Sequence, residues 1–110
     1  MPSGLPEPLD EDCPPPPVPD GALVRELRIV NKKGLHARAS AKFVQTVERF
    51  GSEVAVTRCG ETVGGRSIMG LLTLAAAQGT LITVTALGDD ADACLDAIRV
   101  LVNGRFGEDE

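Results

Sequence analysis

The chain has 110 residues, a net charge of −5 and one histidine, enough for a single domain with one hydrophobic core and too few for two. No stretch approaches the ~18 apolar residues of a membrane span, and the acidic balance argues against nucleic acid. Cys13, Cys59 and Cys94 stand far apart with no Cys-x-x-Cys pair, and the single histidine leaves no Cys/His zinc cluster of the usual spacing, so neither metal nor cofactor is expected.

The charge is unevenly spread. Residues 1–22 hold all eight prolines and five acids, with no Lys or Arg. Such a segment buries too little to offset its ordering entropy and reads as a disordered leader. It has neither a basic start nor an apolar run, so it is not read as a secretory signal. With an odd cysteine count, this points to reduced thiols and a cytoplasmic location. Residues 104–110 end in Glu108, Asp109 and Glu110 and read as a frayed acidic tail. Between them, residues 23–103 form the domain. Its first part, residues 23–50, carries seven bases against two acids, which suits an anionic ligand or an acidic protein partner.

Leu23 to Val30 alternates, with Leu27 and Ile29 on one face and Glu26 and Arg28 on the other, as a half-buried strand does. Asn31-Lys32-Lys33-Gly34 is turn chemistry. From Ala37 to Phe50 the period becomes helical: Ala39, Phe43, Val47 and Phe50 make an apolar stripe beside Arg38, Lys42, Gln45 and Arg49. Glu53–Cys59 and Glu61–Val63 flank Gly60 as a hairpin. Ser67 caps an apolar helix running from Ile68 to Ala77 and closed by Gly79. Thr80–Leu87 is strongly strand-like. Asp89 then caps a last helix with core positions Ala91, Leu95, Ile98 and Leu101/Val102, which Gly104 ends. The order β-α-β-β-α-β-α predicts an α+β two-layer sandwich, a four-stranded antiparallel sheet with three helices on one face.

His36 stands at the start of the first helix, where the leading amides lack intrahelical partners and the macrodipole is positive. An anion on the ring could accept the amides of Ala37 and Arg38, and the Arg38 guanidinium would add charge-assisted bonds. Imidazole titrates near neutrality and offers a nucleophilic nitrogen. The residues therefore suit a short-lived phosphohistidine.

Gly34-Leu35-His36-Ala37-Arg38, followed by Ala39-Ser40-Ala41-Lys42-Phe43-Val44, closely resembles the active-centre motif of the HPr phosphocarriers of the bacterial phosphoenolpyruvate-dependent phosphotransferase system. Ser67-Ile68-Met69-Gly70 through Gln78-Gly79 resembles that family's regulatory-serine helix. The resemblance spans about residues 23–103. It implies an open-faced sandwich in which enzyme I donates a phosphoryl group to His36 Nδ1 and an enzyme IIA-type protein accepts it, Arg38 being the charge partner. It also implies a regulatory phosphosite at Ser67 for an HPr kinase/phosphatase, and a docking surface made of Lys42 on the basic helix face with Ile68, Met69 and Leu72. Such a protein is a monomeric relay and sugar-transport component, with catalysis supplied by its partners. Ala39 departs from the family, in which many members have proline; alanine leaves one more helix-start amide free. Two alternatives stand beside this: a module of the same fold that signals nitrogen or carbon status without moving sugar, and an unrelated ligand-binding domain with an incidental histidine.

Overall fold

The computed structural model describes residues 13–110. In chain order the elements are β1 (Leu23–Arg28), α1 (Ala37–Val47), β2 (Glu53–Arg58), β3 (Glu61–Gly64), α2 (Ile68–Thr73), β4 (Leu81–Leu87) and α3 (Ala91–Asn103), followed by a short 3-10 turn, Arg105–Gly107. The four strands form one antiparallel sheet in the order β1-β4-β2-β3. The register sets Leu27 opposite Ile82 and Val56 opposite Val84. Alternation then sends these side chains to one face, where Ala39, Phe43, Val47, Leu71, Leu95, Ile98 and Val102 from the helices complete the core. The expected α+β sandwich is present in the expected element order.

Helix boundaries follow the caps. His36 is the extended N-cap residue of α1, and Ser67 caps α2 with its Oγ accepting from Gly70 N at 2.9 Å. A Cβ at Gly70 would fall 2.9 Å from Val63 Cβ, so glycine lets α2 sit on β3. The second helix is shorter than its apolar run predicts. It ends at Thr73, with Ala75 at φ 52 and Leu74 and Ala76 buried, so the rest of the run packs as loop. Apolar content there reflects burial, which does not require helix. At α3 the N-cap is Asp90, not Asp89. Its carboxylate makes no cap bond; it accepts from Ser52 Oγ at 2.5 Å and Gly51 N at 2.8 Å, and these bonds hold its pKa below the ordinary value.

Two expectations about the ends of the chain are corrected. Cys13 and Cys59 are not reduced thiols; they form a disulfide with their Cα atoms 4.7 Å apart. The segment before β1 passes the β2–β3 turn, and Pro14 lies against Gly60. Residues 14–21 contain no strand or helix, but they are tethered through this bond, and residues 1–12 of the expected leader lie outside the described residues. Cys94 is a buried thiol, its pKa pushed up mainly by burial. The C-terminal segment is not frayed: Phe106 is fully buried, and Lys42 Nζ donates to its carbonyl at 2.6 Å.

Candidate functional site

The loop between β1 and α1 is fixed from below. Leu35 N donates to Ala76 O at 2.9 Å, and Gly34 has φ +69 with its absent Cβ only 2.5 Å from that same oxygen. Any side chain at Gly34 would be strained and would push the loop off the segment after α2. This contact delivers His36 to the N-terminus of α1.

There the backbone provides an anion cradle. The His36 carbonyl accepts from Ser40 N at 2.8 Å, and no side chain caps the helix. Among the described residues, the amides of Ala37, Arg38 and Ala39 have no hydrogen-bond partner. Ala39, with no proline ring, adds the third of these donors. Arg38 is exposed beside the ring, and its guanidinium makes no ion pair or hydrogen bond among the described residues. A concavity lined by Lys32, Lys33, His36, Ala37 and Arg38, with Glu108, Asp109 and Glu110 along its C-terminal side, opens over this end of the helix. Its cations and bare amides suit a phosphoryl group.

The imidazole is held from its other side. His36 Nε2 contacts Glu108 Oε2, while Asn31 Nδ2 donates to Glu108 Oε1 at 3.0 Å and to Gly34 O at 2.8 Å. Partial burial pushes the Glu108 carboxyl up, but the bonds from Asn31 and His36, with the charges of His36 and Lys33, outweigh it and hold the group below the usual Glu value. Asn31 is fully buried and its Oδ1 has no partner among the described residues. Rotating the amide would set that oxygen against two acceptors, so Glu108 and Gly34 fix its orientation. Nδ1 is the ring nitrogen that Glu108 does not engage.

Sequence reasoning did not include Asn31 or Glu108 in the site. Asn31 reads as ordinary turn chemistry, and Glu108 lies in an acidic run 72 residues from His36. The one available signal was Phe106, a large apolar residue in a segment otherwise polar. Lys42 stands one turn into α1 as expected, but its ammonium is engaged by the Phe106 carbonyl, so it anchors the C-terminal segment instead of standing free on the surface. Away from the histidine, Ile68 and Met69 are exposed (40% and 71%) and Leu72 is half-buried, an apolar patch beside the Ser67 cap.

Known proteins similar to this chain share one family. The PTS HPr component phosphorylation site family matches residues 23–104. The phosphocarrier protein HPr of Neisseria meningitidis is 51% identical over 88 residues, 80% of this chain and 99% of its own length. The phosphocarrier protein NPr of Shewanella violacea is 41% identical over 86 residues, 78% of this chain and 94% of its own. Among solved structures, HPr from Thermoanaerobacter tengcongensis superposes with a TM-score of 0.77 at 38% identity, covering 80% of this chain and 99% of that one. No described helix is long and apolar enough to cross a membrane. Matched over residues 23–104 by the family and by fold, the chain belongs to the HPr phosphocarriers of the phosphotransferase system.

Proposed function

We propose that His36 carries the phosphoryl group on Nδ1, receiving it from phosphorylated enzyme I and passing it to an enzyme IIA-type acceptor in the cytoplasm. The observation that carries this is the placement of a singly engaged imidazole beside three unpartnered helix amides and the Arg38 guanidinium. In the first step the Nδ1 lone pair forms the N–P bond as the bond from enzyme I to phosphorus breaks and its pair returns to enzyme I. In the second the acceptor's nucleophile forms the new bond to phosphorus and the N–P pair returns to Nδ1. Arg38 and the amides of Ala37 and Arg38 balance the charge on the transferring oxygens. Both bonds are made and broken between proteins, so a single docking surface serves donor and acceptor in turn. The Ile68, Met69 and Leu72 patch supplies its apolar part and the Lys32, Lys33 and Arg38 side its positive part. The protein acts as a monomer. Ser67 is the regulatory phosphosite: it is exposed, caps α2 and adjoins the patch, within reach of a kinase.

A second reading, a nitrogen-type carrier whose phosphorylation state signals instead of moving sugar, is supported by the similarity to the Shewanella violacea NPr. The identity of the acceptor separates the two. Incubation with enzyme I and labelled phosphoenolpyruvate is expected to place one acid-labile phosphate on the wild type and none on a folded His36→Ala, with candidate acceptors then added singly. Equal labelling of the variant overturns the carrier role of His36.

A further inference from the structure

Glu108 makes an unusual contact for a carboxylate in a site built to receive phosphate. Negative charge beside the phosphoryl group would oppose transfer, yet the structure aims this carboxylate at Nε2 and leaves Nδ1 without a hydrogen-bond partner among the described residues. It is also held there: Asn31 binds its second oxygen, and the flanking Lys32 N donates to Glu110 O at 3.0 Å. Glu108 is 19% exposed and His36 28%, so water screens the pair only in part.

We propose that Glu108 is a positioning residue for phosphoryl transfer, fixing His36 as the Nε2–H tautomer and taking up the positive charge that the ring gains when phosphorus bonds to Nδ1. This rests on the carrier role of His36. A neutral imidazole with hydrogen on Nε2 presents its lone pair at Nδ1, so no proton has to leave for the N–P bond to form. As that pair is shared with phosphorus, the ring becomes cationic and its charge spreads to Nε2–H. The carboxylate there stabilises the cation without approaching the phosphoryl oxygens, which lie on the Arg38 side. When the acceptor takes the phosphoryl group, the electron pair returns to Nδ1 and the ring is neutral again, with its Nε2 hydrogen still in place. A carboxylate that orients an imidazole and stabilises its charged form performs the same service in hydrolytic triads. The charged groups facing the pair are Lys32 and Lys33 from the loop, Arg38 from α1, and Asp109 and Glu110 from the C-terminal segment. Of these, Lys33 acts on Glu108 to favour its ionised form.

The test uses the full chain, in which the only histidine gives an unambiguous ring signal. Long-range proton–nitrogen spectra of the wild type at neutral pH are expected to show an unprotonated Nδ1 and a slowly exchanging Nε2 hydrogen. Glu108→Ala is expected to lose the slow exchange and to lower the single-turnover rate from phosphorylated enzyme I by about tenfold or more, with KM for enzyme I unchanged. Glu108→Gln, of nearly equal volume, keeps an acceptor but no charge and is expected to fall between the two. Wild-type transfer in both variants overturns the proposal, as does a ring hydrogen that exchanges equally fast in all three proteins. The spectra need no donor, so they decide the positioning of the ring even if no phosphate reaches His36.

Discussion

Reducing the Cys13–Cys59 disulfide is expected to destabilise the fold while leaving the histidine site standing. The cysteines are 46 residues apart, and the loop they close contains β1, α1 and β2. In the chain-entropy treatment, a loop of this size removes about 13 cal/mol/K from the unfolded ensemble, or about 4 kcal/mol at 25 °C. Part of that is offset in the native state. Reduction also releases the segment from Cys13 to Ala22, where no side chain is fully buried and whose freedom the bond restricts. A net loss of about 2–3 kcal/mol remains, which at a urea slope of about 1.5 kcal/mol/M moves the midpoint down by about 1.3–2 M. Urea unfolding followed by circular dichroism, with and without a dithiol reductant, measures this directly. Cys13→Ser should behave as the reduced wild type and be insensitive to reductant, because buried Cys94 has no role in exchange. Coincident midpoints for oxidised and reduced protein would refute the reasoning. In any reducing compartment the domain has to stand on its core alone, so folding of the reduced form is part of the expectation.

Arg38→Ala should slow phosphoryl transfer by about 100-fold, the usual scale for removing a charge-stabilising donor. It should change stability by under about 0.5 kcal/mol, since the exposed side chain has no partner to lose among the described residues; wild-type single-turnover rates would remove Arg38 from the site. Ser67→Asp should hold thermal stability, because the charge sits at a helix N-terminus, yet weaken enzyme I binding through repulsion and desolvation beside the apolar patch. The loss should shrink as salt rises, and equal affinity at low salt would leave Ser67 as a helix cap alone.

The elements that carry the active face were legible because several local signals agreed at each. The change to a helical period after the Asn31–Gly34 turn marked α1, and its alignment with the histidine followed from His36 preceding the first apolar position of the stripe. The Cys59-Gly60 turn and the Ser67 cap were equally local. What escaped was long-range. Three cysteines allow any pairing or none, and nothing in their spacing brings Cys13 to Cys59; the proximity arises only once β2 and β3 pair and the preceding segment passes their turn. The acidic ending was read by composition, which describes an average and hides a single buried aromatic. Glu108 joins the site through Phe106, and Phe106 finds its place only after the helices have packed.

The C-terminal turn also shows why that contact was hard to foresee, since its energetics are nearly balanced. Arg105 and Phe106 both adopt positive φ, 60° and 55°, a conformation that costs a non-glycine residue about 1–2 kcal/mol. Burying the Phe106 ring returns about 2–3 kcal/mol, so the reversal is close to neutral on backbone and ring alone. The polar contacts then decide it: Lys42 Nζ to the Phe106 carbonyl, Asn31 to Glu108, and Lys32 N to Glu110 O. Two of these three come from the loop that carries His36, and the third from the helix it caps. The segment is therefore held by the elements it serves, and anything that moves the loop moves the carboxylate with it. A docking partner that engages Lys32 or Arg38 would act on that same loop and helix, coupling recognition to the placement of Glu108 against the ring.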